Sequence, residues 1–376
     1  MRRRTFLLKA SPAAVGLALA QLGGTNPEQL IGVLKAEIPR MMESTHVPGF
    51  SIAVVHDARI LWRQGFGVKL AGSTQRVDND TIFGVGSVSK TVFAYAVMKL
   101  YERGTLNLDM PLTRYTPQRI IDNDPRLDLI TARHVLSHSS GLQNWRSGKD
   151  PLKIHFTPGS QYLYSGEGYN YLQNVVTQLT GHVDSSRCAM FEDGLKVCAT
   201  DFASYMHANL LAPFGMSSSG YVYTDSYERH AAVPHDANEK PLPVQKATDV
   251  DVARYGAAGM LYTTATDYAK FLIEIMAPKP SDQFRLRHET IAEMVRPEIK
   301  GGDSPQSWRA LGWEVVRTDK DDWIVHGGDN SGFHAFAAAS IKRRNGYVFM
   351  TNGDGGMELL KKLIIGDTPL NQLLAA

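Results

Sequence analysis

Phe83-Gly84-Val85-Gly86-Ser87-Val88-Ser89-Lys90 places a serine three residues before a lysine, where a loop turns into a helix. At a spacing of i, i+3 the two side chains share one helix face. Ser87 falls at the helix N-terminus, where unpaired backbone N–H groups favour developing negative charge. Lys90 lies one turn further in and is placed to help move the hydroxyl proton. A serine needs such help, because its free hydroxyl is a poor nucleophile. The pattern alone is unspecific, but the helix behind it gives it weight. Thr91 to Arg103 is apolar at Val92, Phe93, Tyr95, Ala96, Val97 and Leu100, which describes a buried helix, and Gly104 supplies its stop. A lysine entering a buried helix needs a chemical reason.

Working outward, the 376 residues are more than one core usually holds, and suit two domains or one domain with a large insertion. Apolar residues make up 43% and charged residues 21%, ordinary values for a soluble globular chain. The net charge of +2 comes without a long basic block beyond the N-terminus, which argues against a nucleic-acid partner. There are no internal repeats or heptads. Arg2-Arg3-Arg4-Thr5-Phe6-Leu7-Leu8-Lys9 resembles a twin-arginine export signal. A short apolar stretch comes next and ends in Ala18-Leu19-Ala20, an A-x-A-like cleavage site. Residues 1–24 are therefore read as a removable export signal and the mature chain as periplasmic or secreted. The apolar run is too short to span a bilayer, so no stable membrane anchor is expected once the signal is removed. In an oxidising compartment Cys188 and Cys198, the only two cysteines, can close a short loop worth about 2–3 kcal/mol in the chain-entropy model.

Asn26 with Pro27 starts a helix running to about Glu43. Phe50 to Val55 and Ile60 to Phe66 read as a hairpin turning at His56 to Arg59. Beyond the Ser87 helix the chain changes character. Helices are expected at Thr131 to Ser137, Tyr169 to Leu179 and Phe202 to Leu211, and Ser217 to Asp249 reads as an extended surface loop. After a helix from Thr266 to Met276, strands are expected at Leu311 to Val316, Trp323 to His326, Phe333 to Ile341 and Tyr347 to Thr351. Arg343 to Gly346 should be a tight turn and Met357 to Ile365 a closing helix. Strands at both ends with helices between give an α+β fold, an antiparallel sheet flanked by helices with an inserted, mainly helical domain. Residues 25–106 and 251–376 make the sheet domain, and 107–250 the insertion.

Ser87 needs a base, an oxyanion hole and a substrate wall. There is no G-x-S-x-G elbow, which excludes the α/β-hydrolase arrangement. Two further polar clusters stand out. One is Tyr162-Leu163-Tyr164-Ser165-Gly166-Glu167-Gly168-Tyr169, before a helix. The other is Trp323-Ile324-Val325-His326-Gly327-Gly328-Asp329-Asn330-Ser331-Gly332, a strand leading into a glycine-rich turn.

With these segments in hand, the chain resembles the serine β-lactamase and penicillin-binding-protein superfamily, in its class C, D-alanyl-D-alanine carboxypeptidase and esterase branch. Ser87-Val88-Ser89-Lys90 matches its Ser-x-x-Lys. Tyr164-Ser165-Gly166 stands in the place of its Tyr-x-Asn, and His326-Gly327-Gly328 in the place of Lys-Thr-Gly. Thr131 to Leu142, Phe214-Gly215-Met216, Gly259 to Thr264 and Leu311-Gly312-Trp313 fit the same pattern, so the resemblance covers nearly all of the mature chain.

The resemblance implies that Ser87 forms an acyl-enzyme, that Lys90 and Tyr164 together handle its proton, and that the backbone N–H groups of Ser87 and Asp329 form the oxyanion hole. Gly327 and Gly328 would let the strand approach the substrate. Which of Lys90 and Tyr164 is the base stays open, because coupled groups titrate as a pair. Two departures bear on specificity. Gly166 replaces the amide that grips an acylamino group, a loss for which Glu167 offers one compensation. His326 replaces a permanent cation and, unperturbed, would be about one-quarter charged at pH 7. Together they favour an esterase-like or peptidase-like hydrolase of a small-molecule or peptide acyl substrate. The alternatives are a class C-like β-lactamase and a penicillin-sensing or peptidoglycan-binding module without turnover.

The remaining candidates carry plainer readings. His134 and His138 have a helical i, i+4 spacing that can ligate metal, but no third ligand is placed, and neither metal nor cofactor is expected. Tyr162 and Tyr169 are alternatives to Tyr164 as the phenol. Glu167 is an alternative deacylation base, with a helix-start carboxylate as the plainer reading. Trp145 and Trp308 read as packing aromatics, with cleft lining as the alternative.

Overall fold

The computed structural model describes residues 27–116, 119–146, 150–181, 192–301, 306–318 and 321–375. The expected export segment 1–24 lies outside the described residues, as does Cys188; Cys198 is buried and is not a free thiol.

Helix α1 (Pro27–Ser44) starts on a proline whose fixed φ suits a first turn, and it buries Leu30, Leu34, Ile38 and Met42 along one stripe. Strands β1 (Gly49–His56) and β2 (Arg59–Gly67) form the expected hairpin. The turn is tighter than expected: only Asp57 and Ala58 lie outside the strands. Both have positive φ (46° and 53°), the sign a type I′ hairpin turn demands at its two central residues. A two-residue strand, β3 (Phe83–Gly84), leads through a 3₁₀ turn at Gly86–Val88 into α2 (Ser89–Glu102), which Gly104 ends with φ +72°.

The middle of the chain is helical: α3 (Ala132–Leu136), α4 (Gly166–Thr180) and α5 (Glu192–Met206), the last continuing into a π-helical turn at His207–Leu211. The segment read as a surface loop contains a short helix, α6 (Asp225–His230), started by the Thr224 cap. Helix α7 (Asp249–Gly259) is an addition to the expected elements. Its start is nonetheless written in a capping box in which Thr248 and Asp251 bond reciprocally. Strand β4 (Tyr262–Thr263) pairs with β3. After it come α8 (Ala265–Met276) and a further unexpected helix, α9 (His288–Val295).

The last third supplies β5 (Ile299–Lys300), β6 (Ser307–Arg309), β7 (Glu314–Arg317), β8 (Asp322–Asn330), β9 (Phe333–Ser340), β10 (Asn345–Thr351), α10 (Gly356–Ile364) and α11 (Pro369–Ala375). Eight strands form one antiparallel sheet in the order β2-β1-β10-β9-β8-β7-β6-β5. The two strand groups are therefore one sheet, joined where β1 pairs with β10 from Phe50↔Thr351 to Val55↔Gly346.

The sheet is covered on both faces, and the alternation of its strands shows it. Ala53, Val55, Ala335, Ala337, Val348 and Met350 belong to the large core shared with α2 and α8. Phe50, Ile52, Val54, Phe336, Ala338 and Phe349 face the second core, under α1, α10 and α11.

Three strand boundaries differ from expectation. Leu311 to Trp313 turn on Gly312 (φ +87°), so β7 begins at Glu314. Ile341 to Arg344 make the last hairpin turn, with Arg344 at φ +59°. Most consequentially, β8 does not stop at His326. It runs on through Gly327, Gly328, Asp329 and Asn330, and the turn is Ser331-Gly332. A glycine pair reads as punctuation in a sequence, yet here it lets a strand pass against another backbone.

Candidate active site

Gly86 is the point from which the site is built. Its φ is +52°, and a Cβ there would lie 2.9 Å from the backbone N of Asp329 on β8. Both conformation and space thus require glycine. The next residue, Ser87, stands half-exposed at the start of the 3₁₀ turn, where N–H groups lack intrahelical acceptors. Ser89 locks this turn in place. Its hydroxyl donates to Gly86 O (2.6 Å) and accepts from Leu261 N (3.0 Å), tying the turn to the chain just past α7.

Lys90 is fully buried on α2, with Nζ 3.1 Å from Ser87 Oγ and 2.5 Å from the Ala258 carbonyl near the C-terminal end of α7. Its Nζ also lies 5.1 Å from the ring centroid of Tyr164 and 5.4 Å from that of Tyr169. Burial pushes its pKa down to about 7.

Tyr164 directly precedes Ser165, the N-cap of α4. The Ser165 hydroxyl accepts from Gly168 N (2.8 Å) and donates to Gln143 O (3.0 Å). Burial raises the Tyr164 pKa to about 12, although a hydrogen bond with Ser87 and the charge of Arg309 pull the other way. That hydrogen bond separates the tyrosines. Tyr162 lies under the Arg309 guanidinium at 4.7 Å, and the Tyr169 hydroxyl points to Leu136 O (3.4 Å).

His138 stacks on Tyr164 with ring centroids 4.1 Å apart, and its Nδ1 accepts from Ser165 N at 3.0 Å. Burial, then the positive charges of Arg309 and Lys90, hold its pKa well below the usual imidazole range. The imidazole is a neutral plate that orients the phenol, a role its sequence spacing did not suggest. His134 turns elsewhere, its Nδ1 3.1 Å from Leu129 O. Among the described residues no group of three or more His, Cys, Asp or Glu side chains could hold a metal ion.

On β8, His326 shares the α2/α8 face with Ile324, is 5% exposed, and donates from Nδ1 to Gly327 O at 2.7 Å. Burial, with Lys90 nearby, depresses its pKa to about 3. The fractional charge expected at neutral pH is therefore absent: His326 is a neutral group at any ordinary working pH. A permanent cation does stand nearby, in a place no motif announced. Arg309 of β6 is ion-paired to Glu314 (3.1 Å), and its charge adds to the lowering of the His138 and His326 pKa values and opposes the larger effect of burial that raises those of Tyr164 and Tyr169.

The backbone N of Asp329 lies against Gly86, 2.9 Å from where a Cβ there would sit, so the end of β8 meets the turn that carries Ser87. Strand β7 pairs with β8 only as far as Val325, and the space beyond is taken by the Ser87 turn. The Asp329 side chain goes to the opposite face, 3.1 Å from His334 Nδ1. Gly328 is needed for close approach, since a Cβ there would lie 1.9 Å from Val85 O. Gly327 is not: its added Cβ would meet only Phe336, at 3.7 Å.

Gly166 is covered by Trp145, whose ring atoms would lie 2.3–2.6 Å from any Cβ at that position. Glu167 is clamped by Arg146, which donates through Nε (2.9 Å), Nη2 (3.2 Å) and its backbone N (3.1 Å). Held in this way, Glu167 supplies neither a substitute for the missing amide nor a base. Beside the end of β8 lies a small open recess, lined on its apolar side by Tyr223, Pro243, Val244, Met260 and Phe333 and bordered by Gly84 and Asn330.

A family model described as Beta-lactamase matches residues 34–366. The chain is 20% identical over 329 residues to Protein flp of Staphylococcus aureus (strain N315), covering 83% of this chain and 61% of that one. It is 28% identical over 261 residues to Esterase EstB of Burkholderia gladioli, covering 60% of each. The chain thus spans about three fifths of the length of these curated relatives. Among solved structures, a class C beta-lactamase superposes with a TM-score of 0.74 at 17% identity, covering 94% of this chain and 99% of the other. At that identity the likeness concerns the fold.

Proposed function

The chain belongs to the beta-lactamase family, and from that premise we propose that it is a serine hydrolase that forms an acyl-enzyme on Ser87 and cleaves esters, with activated amides as poorer substrates. The observation that carries this reading is the contact between Ser87 Oγ and a fully buried lysine whose pKa lies near 7. Such a lysine is neutral for much of its time at working pH, which is what a general base requires.

The chemistry follows from the placements. Neutral Lys90 takes the Ser87 proton as Oγ attacks the substrate carbonyl. The new oxyanion is met by the N–H groups of Ser87 and Asp329, each such donor being worth about 3–4 kcal/mol of the barrier. Tyr164 stays protonated, because burial raises its pKa, and it sits against Ser87 ready to give a proton to the departing alkoxide. The Lys90 ammonium passes its proton to the Tyr164 phenolate, which restores both groups; water then attacks the acyl-enzyme with Lys90 again as base, and that proton goes to Ser87 Oγ as the acid departs. Esters are favoured over β-lactams for two reasons: Gly166 offers no amide and His326 no charge.

The test is a trapping experiment. Incubation with a slowly released acyl donor should add one acyl mass to the intact protein, and peptide mapping should place it on Ser87. Failure to find the adduct overturns the reading. Steady cleavage of simple esters with negligible nitrocefin turnover fits the esterase. Fast steady nitrocefin hydrolysis would make it a β-lactamase, and a single stoichiometric burst would make it a sensor.

The pH profile provides a second check. Since Lys90 is protonated below its pKa and must be neutral to act, kcat/KM should rise through about pH 7 and level off above 8. His326 adds no step between pH 5 and 9, because its own transition lies near 3. A profile flat from pH 5 to 9 would remove Lys90 from the role of base.

A further inference from the structure

Trp145 is 43% exposed, although it is packed directly on Gly166. It is also pinned. Asn144, on one side, accepts from Gly166 N through both its side-chain oxygen (3.0 Å) and its carbonyl (3.1 Å). Arg146, on the other, clamps Glu167. Tyr255 of α7 meets the indole edge-on, with centroids 5.5 Å apart and planes at 83°. Three consecutive residues thus face the start of α4: the bonds at both neighbours fix the backbone that carries Trp145, and Gly166 and Tyr255 pack against the indole itself.

The position of this plate gives it meaning. Gly166 lies two residues after Tyr164, and Tyr255 three residues before Ala258, whose carbonyl holds Lys90. The plate therefore packs on the segments that carry Tyr164 and Ala258, the two residues in contact with Ser87 and Lys90. No side chain fits at 166 while the indole is present. The site has accordingly exchanged a place for a hydrogen-bonding group for a rigid apolar surface. A large aromatic left part-exposed but held rigid binds flat apolar groups at little entropic cost.

The geometry points to Trp145 as a specificity-determining residue that selects esters carrying an aryl group, which stacks on the indole where an amide would otherwise be bound. The inference rests on the serine-hydrolase reading above and narrows its substrate class.

The comparison is between three esters followed by proton release: methyl phenylacetate (aryl on the acyl side), benzyl acetate (aryl on the alcohol side) and ethyl acetate. Relative to ethyl acetate, Trp145→Ala should lower kcat/KM for one of the aryl esters by about tenfold, the scale of a lost aromatic contact. Trp145→Phe should retain most of that preference. If Trp145→Ala does not fold, Trp145→Leu, which keeps bulk without a flat face, serves the same comparison. Aryl-to-ethyl ratios within about twofold of the parent for both aryl esters would overturn the inference. Labelling of Ser87 in the same variants keeps the two questions apart: normal labelling with unchanged ratios removes Trp145 and leaves the serine hydrolase standing.

Discussion

Ser87→Ala and Lys90→Met should each lower kcat for ester cleavage by about 10⁴-fold or more, and the double variant should be no worse than either single one. The argument is that the two side chains work as one unit. The nucleophile has no value without a group to receive its proton, and the amine has nothing to deprotonate once the hydroxyl is gone. Their separation of 3.1 Å leaves no room for an intervening water. Initial rates on a fast ester, with intact-mass detection of the adduct, give the measurement. Additive losses in the double variant would show that Lys90 acts elsewhere.

Lys90→Met should also change stability in a direction that depends on pH. The folded-state pKa of Lys90, about 7, is depressed below the ordinary value near 10.5. Between those two values the unfolded chain binds the extra proton, so the parent protein gains stability as pH rises across that window. Methionine has no charge to bury. The variant's advantage in melting temperature should therefore be widest below pH 7 and shrink toward pH 10.

Gly328→Ala is expected to be the most damaging single-methyl change in the site. The added carbon would lie 1.9 Å from Val85 O, a backbone atom just ahead of Gly86 and Ser87, so β8 and the Ser87 turn must move apart. Because the two proposed oxyanion donors, on Ser87 and Asp329, lie on either side of that contact, kcat should fall about 10²–10³-fold, the range for losing a single such donor. The neighbouring Gly327→Ala meets only Phe336 at van der Waals distance and should cost far less. Circular dichroism and melting curves on both variants separate loss of alignment from loss of fold. Equal activity losses at 327 and 328 would mean that the close approach at Val85 is unimportant.

The architecture was largely legible because its signals are local. The α1 stripe, the β1–β2 alternation, the Gly104 stop and the apolar runs of β9 and β10 each sit within a single window of sequence. Where reading failed, the deciding partner was remote. Gly327-Gly328 looked like a turn because nothing near them in sequence reveals that Val85 presses on the second. The short strands β5 and β6 carry no periodicity, so Arg309 stayed hidden until tertiary structure brought it to Tyr162. The Ser-x-x-Lys spacing and Tyr164 could be found from motif alone. The neutrality of His326 and the plate formed by His138 could not, since burial and neighbouring charge are products of the fold. Helix α7 is a different case: the Thr248–Asp251 box was there to be read.

The pairing of β1 with β10 sets an order of events during synthesis. These two neighbouring strands are made some three hundred residues apart, and the core they share with α1 and α11 brings Leu30 and Leu34 together with Leu370 and Leu373. A nascent chain can thus form its first hairpin early, yet one edge of it stays open until β10 has been made. Such a hairpin is a template for mispairing during that interval. The same adjacency means that a peptide tether linking the α11 end to the start of α1, with new termini cut in an exposed loop, should yield a circular permutant with an intact sheet.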